Sequence, residues 1–184
     1  SEVEELKERI REIVERIEET VRRLAKRVED HVREVEKDSK RLADEIRDFV
    51  RRITDEVRKK KDDKDRLDKL KKDLDRLLEE IRRRNEELNK SNEDLLREIK
   101  ERLDKLREEL KETVKEIEKK LKDVEKRLVD KLRKVLEEVR EEVERVVREL
   151  EEVLRRSTKR VEDASRELER VLKEVKETLE REVR

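Results

Sequence analysis

Apolar side chains recur at one nearly constant interval in three successive rows of the sequence. The rows run from Val3 to Val57, from Leu67 to Leu121 and from Leu128 to Val183, and each crosses 54 or 55 residues in fifteen steps. An interval of about 3.6 residues is one turn of an α-helix, so each row predicts a helix with a single apolar stripe. Intervals of about 3.5 or 3.67 residues would impose a supercoil, so the three helices are predicted to be nearly straight.

Composition supports helices and little else. None of the 184 residues is glycine or proline, the two residues that most often turn a chain or end a helix. Lys, Arg, Asp and Glu make up 62% of the chain and apolar residues 30%, a balance also found in disordered proteins. The strict periodicity excludes disorder, and a stripe of two residues in seven needs only about 29% apolar residues. The predicted fold class is therefore all-α: a long, nearly straight, antiparallel three-helix bundle, coiled-coil-like, with about 60 residues per helix.

Charge marks the two boundaries between the rows. Lysines at 59–61 precede aspartates at 62–63, and lysines at 119–120 precede Asp123 and Glu125. Basic residues favour the end of one helix and acidic residues the start of the next, so turns are predicted near residues 62 and 123. The predicted single helical-bundle domain, 1–184, then contains helices at about 2–60, 65–121 and 124–183.

A polar cluster inside the second row offers a different boundary. Residues 89–92 read Asn-Lys-Ser-Asn, and Ser91 with Asp94 resembles a helix cap, so a loop at this point is an alternative. Leu88, Asn92 and Leu95 nevertheless keep the apolar interval without a slip. A break there would also produce helices of unequal length, which favours a continuous second helix.

Seven polar residues form the candidate site. In an antiparallel bundle with turns near 62 and 123, residue i of the first helix lies level with about 124 − i, and residue j of the second with about 246 − j. These relations place all seven polar residues near the middle of the predicted bundle. Ser39 lies level with Asn85, and Asn89 lies level with Ser157. We interpret them as a buried hydrogen-bond network that specifies helix register, as single core asparagines do in coiled coils. The residues are His31, Ser39, Asn85, Asn89, Asn92, Ser157 and Thr158.

Catalytic and metal-binding functions are not supported by these residues. One histidine with no cysteine and no inward-facing carboxylate does not form a ligand shell, and no carboxylate pair is set apart from solvent for acid–base work. His31 also has a simpler interpretation, as a helix-packing residue with its ring edge in water. We therefore predict no enzyme activity, no catalytic, cofactor-binding or metal-binding residue, and no cofactor.

The charge pattern argues against nucleic acids and membranes as partners. The chain carries 57 basic and 57 acidic residues that are interleaved, and Phe49 is its single aromatic residue, so neither a basic face nor a stacking surface is predicted. The longest uninterrupted apolar run has two residues, too short for a membrane span or a signal peptide. No partner is expected. The predicted state is a soluble monomer, with a homo-oligomer as the alternative.

Together these features resemble computationally designed parametric helical bundles. The resemblance covers essentially the whole chain and is carried by the Glu/Lys/Arg surface, the Leu/Ile/Val stripe and the Asn/Ser/His layer; the glycine-free turns depart from the usual pattern. It implies a very stable scaffold without an evolved function, soluble in the cytoplasm of an expression host. The alternative is a protein-interaction module or a self-associating, spectrin-like spacer. That alternative needs spare apolar surface, and doubled positions such as Leu77-Leu78 widen the stripe only locally.

Overall fold

Three long α-helices account for nearly all of the protein. The computed structural model describes residues 2–59 and 64–182, and these residues contain no β-strand. Helix α1 spans Glu2–Lys59, α2 spans Lys64–Lys120 and α3 spans Lys126–Glu182, with 58, 57 and 57 residues respectively. The contacts between them are those of a three-helix bundle, which confirms the predicted fold class.

The first predicted turn lies outside the described residues, because it falls on residues 60–63. The same is true of the end of the third predicted helix, at residue 183. The described bounds of α1 and α2, at Lys59 and Lys64, flank the predicted position near residue 62.

The second turn is built without glycine. Helix α2 ends at Lys120 and a 3-10 turn spans Leu121–Asp123, with Leu121 buried. Val124 then adopts an extended conformation, with φ −105° and ψ 148°, and its N–H donates to the Leu121 carbonyl at 3.3 Å. The Glu125 carbonyl accepts the first hydrogen bonds of α3, from the N–H groups of Leu128 and Val129 at 2.9 and 3.0 Å. Extended backbone is open to any residue, so this corner needs no left-handed residue, and no described residue has a positive φ.

The alternative loop at residues 89–92 is wrong, because α2 continues through this stretch. Asn92 is only 3% exposed, so it behaves as a core position of the helix. Asn and Ser favour turns when their side chains bond the local backbone. Asn89 instead bonds a side chain on another helix.

Contacts divide the chain into two compact units, each containing one segment of every helix. The first unit comprises Ser1–Glu29 and Asp94–Arg156, and the second comprises Asp30–Glu93 and Ser157–Arg184. The prediction of a single domain concerns whether these units fold together, and it stays a prediction.

In the first unit, ion pairs show the register of antiparallel α1 and α2. Arginine guanidinium and glutamate carboxylate groups pair across the two helices, and the residue numbers of each pair add to 125, one more than the predicted 124. The pairs are Arg9–Glu116 at 3.0 Å, Arg16–Glu109 at 3.4 Å and Arg27–Glu98 at 3.0 Å. The same unit joins α2 to α3 through Arg107–Glu151 and through Arg140–Glu118 at 4.0 Å, and the residue numbers of each pair add to 258, twelve more than the predicted 246.

In the second unit, Arg66 of α2 pairs with Glu56 of α1 at 2.6 Å, again in an antiparallel arrangement. Helices α1 and α3 run parallel, and Arg160 pairs with Glu36 between them. The apolar core of this unit is one cluster with partly buried neighbours that include Phe49. Its buried members are Leu42, Ala43, Ile46, Ile53, Leu74, Leu78, Ile81, Leu168, Val171, Leu172, Val175 and Leu179.

At positions where two apolar residues are adjacent, the structure shows which of the two is the core residue. In the pairs Leu77-Leu78 and Val135-Leu136 the 3.6-residue interval predicts the first residue as the core position, but the second is the more deeply buried. Leu78 is 6% exposed and Leu136 is 5% exposed, whereas their neighbours are half-buried. Each helix packs against two others, so its apolar face is wider than the narrow seam of a two-stranded coiled coil. Among the described residues no large hydrophobic side chain is exposed.

Candidate functional site: a buried polar layer

Two asparagines of α2 and one serine of α3 form a hydrogen-bonded group inside the second unit. The Nδ2 groups of Asn85 and Asn89 donate to the Ser165 hydroxyl oxygen at 3.1 and 2.9 Å. Asn85 and Asn89 are four residues apart, so both amides leave the same face of α2 and converge on one acceptor. A hydroxyl oxygen has two lone pairs, which matches the two N–H donors. We call this group the Asn–Ser165 cluster.

Burial makes the cluster energetically significant. Asn85 is 5% exposed, while Asn89 and Ser165 are half-buried. Three valines of the second unit, on α1 and α3, have at most 3% exposure. A hydrogen bond shielded from water is stronger than an exposed one, and breaking it leaves a buried polar atom without a partner. These valines are Val32, Val35 and Val161.

Three further predicted members of the network are buried in the same unit. Ser39, Asn92 and Ser157 are 6%, 3% and 3% exposed. His31 and Thr158 are half-buried. The prediction that all seven residues lie inside one hydrogen-bond network stays a prediction for these five, because only Asn85 and Asn89 are joined by the hydrogen bonds of the cluster.

Some polar atoms of this region are buried without a protein partner. They are the Nε2 atom of His31, the hydroxyl oxygen of Ser39 and the Oδ1 atom of Asn92. A buried polar atom that loses its hydrogen bond costs about 1–3 kcal/mol of stability. None of these three atoms takes part in the hydrogen bonds of the Asn–Ser165 cluster.

Ser165 is the member that the sequence analysis missed. The level relation placed Ser157 opposite Asn89, but Asn89 bonds Ser165, eight residues further along α3. The relation treats contact as equal height of Cα atoms, whereas helical side chains lean toward the amino terminus of their own helix. Between antiparallel helices this lean separates the Cα atoms of touching residues along the axis. A signal was present, since Ser157, Val161 and Ser165 recur every four residues on one face of α3.

The chemistry of the cluster is that of a structural contact. Amide N–H groups and a hydroxyl oxygen are neutral, and neither group of the cluster is paired with an acid or a base that would activate Ser165. Across residues 2–59 and 64–182, no group of three or more His, Asp or Glu side chains is placed to hold a metal ion. Within the same ranges, no helix is apolar over a length that would cross a bilayer.

Comparisons with known proteins agree on the helical architecture. A computationally designed three-helix bundle of known structure is similar to this chain with a TM-score of 0.52 and 21% sequence identity, covering 99% of this chain and 86% of that chain. At this identity the likeness concerns the fold alone. No curated protein is significantly similar to the sequence.

A match to a family model shows which protein family the chain belongs to. The model described as "Apolipophorin-III precursor (apoLp-III)" matches residues 2–152, well over half of the chain. That family is a helix-bundle family, in agreement with the three helices of the structure. The chain belongs to the apolipophorin-III family.

Proposed function

We propose that the protein is a structural scaffold of designed origin, in which the Asn–Ser165 cluster specifies the register of α2 against α3. The observation that carries this proposal is the pair of hydrogen bonds from Asn85 and Asn89 to Ser165, at 3.1 and 2.9 Å, within the second unit. Apolar side chains pack acceptably in several registers, because dispersion and hydrophobic contacts are not directional. Hydrogen bonds are directional, so they discriminate between those registers.

Neighbouring registers of α2 and α3 differ by a slip of one helical turn. A shift of α3 by one turn would bring Val161 or Glu169 to the position of Ser165. Val161 offers no acceptor to the two amides, which would cost about 1–3 kcal/mol for each unpaired buried group. Glu169 would carry a charge into the interior, which is more costly still. The native register is therefore favoured over its neighbours by about 1–3 kcal/mol from the buried amide of Asn85 alone, and by less from the half-buried Asn89.

Sequence features support the designed origin. No glycine or proline occurs in 184 residues, basic and acidic residues are equal in number, and three helices have lengths within one residue of each other. A scaffold also needs no catalytic group, and the cluster contains only neutral donors and acceptors. The helix-bundle fold is common to the apolipophorin-III family and to the designed structure, so it is compatible with either origin.

We further propose that the scaffold is a monomer without a protein partner. The absence of exposed large hydrophobic side chains among the described residues supports this, because stable interfaces bury apolar side chains at their centre. Light scattering coupled to gel filtration is expected to give the mass of one chain, 22.7 kDa. A dimer mass would favour the alternative, a self-associating spacer or interaction module.

The register proposal is tested by distance measurements within the second unit. Spin labels attached through R82C on α2 and R166C on α3, both at exposed positions, report the register of these helices by pulsed electron resonance. We expect one narrow distance distribution in the parent. In the triple variant N85L/N89L/S165A we expect a broadened or split distribution with an equal or higher midpoint of thermal unfolding, because leucine fills the core without specifying a register.

A matched control is T20V, since Thr20 is the buried polar residue of the first unit and its hydroxyl donates to its own helix, to the Arg16 carbonyl at 2.8 Å. T20V should leave the label distribution of the second unit unchanged. An equally narrow distribution in the triple variant would show that the cluster does not specify register. Loss of folding in that variant would show that the cluster contributes stability rather than specificity.

The family assignment favours a second function, association with a lipid surface, because an apolipophorin is by its name the protein part of a lipid-carrying particle. Each helix has one apolar face and one charged face, as surface-bound helices do. Those apolar faces are buried in the bundle, so binding would require the helices to separate. Clearance of phosphatidylcholine vesicle turbidity by the protein would establish this function, and stable vesicles after addition of the protein would exclude it.

A further inference from the structure

A groove on the first unit carries an excess of positive charge. It lies between α1 and α2, encloses a cavity of about 390 Å³, and is lined at its base by Thr20, Leu24 and Ile99. Thr20 and Ile99 are buried and Leu24 is half-buried, so the base of the groove is largely apolar. The charged rim comprises Arg23, Arg27, Glu98, Glu101, Arg102 and Lys105.

The rim has four basic and two acidic side chains, and one of the acidic ones is already paired. Both Glu98 carboxylate oxygens accept from the Arg27 guanidinium, at 3.0 and 3.2 Å. Within the described ranges, Arg23, Arg102 and Lys105 form no ion pair. Three unpaired cations and one unpaired carboxylate remain, a net charge of plus two.

This excess is local rather than general. The whole chain is electrically balanced, with 57 basic and 57 acidic residues. Two other cavities of the first unit, with volumes of about 320 and 380 Å³, each have three acidic and two basic side chains around them. Neither of those cavities would attract an anion, so they serve as internal comparisons.

Thr20 orients one of the free cations. Its hydroxyl donates to the Arg16 carbonyl at 2.8 Å and accepts from the Arg23 guanidinium at 3.4 Å. Arg23 is thereby held along the groove, with its remaining N–H donors free for a ligand. A planar guanidinium binds oxyanions through parallel hydrogen bonds, and an ammonium adds a point charge.

We propose that this groove binds a phosphate group carrying two negative charges, through Arg23, Arg102 and Lys105. The charge of a phosphate dianion equals the net charge of the rim, and its oxygens match the forked donors of two arginines. The dianion is either a free phosphate or the headgroup of a lipid such as phosphatidic acid. This inference uses no part of the Asn–Ser165 cluster, so its failure would leave the proposed function untouched.

Calorimetric titration with inorganic phosphate at low ionic strength and pH 7.5 tests the proposal. The variant R102Q/K105Q removes two cations that form no ion pair, so its fold is expected to be retained. We expect its phosphate affinity to fall at least about tenfold, since two charge-assisted contacts are lost. The control R82Q/K90Q makes the same charge change at exposed positions of α2 in the second unit, and its affinity should stay within about twofold of the parent.

The source of the phosphate is separated by vesicle sedimentation with phosphatidic acid or with phosphatidylcholine alone. Binding of free phosphate that depends on Arg102 and Lys105 supports a soluble ligand. Sedimentation only with phosphatidic acid vesicles, lost in R102Q/K105Q and kept in R82Q/K90Q, supports a lipid headgroup. Equal loss in both variants would show general attraction by net charge and overturn the proposal. Absence of binding to either probe would also overturn it.

Discussion

The two units of the molecule handle buried polar groups in different ways. In the first unit the buried polar residue Thr20 bonds a carbonyl of its own helix, four residues earlier. In the second unit Asn85 and Asn89 bond Ser165 on another helix. A bond within one helix survives any sliding of that helix past its neighbours. Only a bond between helices changes with register, so under the proposed function the Asn–Ser165 cluster of the second unit specifies helix alignment.

Ion pairs between helices on the surface are more numerous in the first unit than in the second. Five arginine–glutamate pairs join different helices in the described part of the first unit, whereas two such pairs, Arg66–Glu56 and Arg160–Glu36, do so in the second. Exposed ion pairs contribute about 0–1 kcal/mol each and weaken with salt. The described contacts between helices are therefore mainly surface ion pairs in the first unit, whereas the second unit also has the interior hydrogen bonds of the Asn–Ser165 cluster.

The largest expected effect comes from emptying either core. Ile99 of the first unit and Ile81 of the second lie on α2 and are 0% and 1% exposed. We expect I99A and I81A each to lower the free energy of unfolding by about 3 kcal/mol, because the lost side chain leaves a cavity. Urea unfolding followed by circular dichroism measures the change.

The same pair of variants tests whether the chain is one domain. If the units unfold together, hydrogen exchange in I99A accelerates equally for core amides of both units. Acceleration confined to the first unit would contradict the prediction of a single domain and would make the two units separate folding units.

A smaller effect is expected from removing the shared acceptor of the cluster. S165A leaves the Nδ2 groups of Asn85 and Asn89 without their partner, so the free energy of unfolding should fall by about 1–3 kcal/mol. T20V in the first unit should change it by less than about 1 kcal/mol, because a threonine bonded to its own helix contributes little. Equal effects of the two variants, measured by thermal unfolding, would remove the contrast between the units.

The smallest expected effect concerns pH and one contact of the first unit. Burial and a hydrogen bond to Glu142 raise the pKa of Glu18 above its ordinary value of 4.5, while Arg22 and Arg145 act in the opposite direction. The folded protein therefore holds this proton more tightly than the unfolded chain. The resulting stability is fully present below pH 4.5 and is lost as the pH rises through the folded pKa.

The variant E18Q tests whether the raised pKa of Glu18 makes the protein lose stability as the pH rises. Its amide is neutral and can donate to Glu142 at every pH, so at pH 7 it should be more stable than the parent by about 0.3 kcal/mol, the size of a like-charge repulsion on a helix surface. The difference should shrink at pH 4, as measured by urea unfolding at both values. The control is E19Q, which makes the same change at the exposed neighbouring residue Glu19. A stabilisation by E18Q that grew as the pH fell would contradict a raised pKa of Glu18.

Periodicity was sufficient to predict the helices, and periodicity together with the charge blocks predicted the register of α1 against α2 seen in the first unit. An apolar interval of about 3.6 residues that is kept over more than fifty residues fits only an α-helix. The charge blocks at the ends of the rows predicted the second turn close to its observed position at Leu121–Asp123. The ion pair Arg16–Glu109 lies within one residue of the predicted alignment. These features depend on local sequence, which a single chain displays directly.

The partner of the buried asparagines was not predictable in the same way. Ser165 lies beside Ala164, the residue that fits the 3.6-residue interval, and the four-residue recurrence of Ser157, Val161 and Ser165 becomes informative only once the width of the apolar face of α3 is known. Its role depends on the lean of side chains and on the wide apolar face that a third helix requires, which also explains the deeper burial of Leu78. Such offsets along the helix axis, about one turn for Asn85 and about two turns for Asn89, cannot be read from the spacing of apolar residues in the sequence.

The most direct test of the central claim is to observe the side-chain amides of Asn85 and Asn89 by nuclear magnetic resonance. If interior hydrogen bonds specify the register of α2 against α3, their Nδ2 protons will exchange slowly with water and show nuclear Overhauser contacts to the β protons of Ser165. Exchange as fast as that of an exposed amide, or contacts to Ser157 in place of Ser165, would contradict the account.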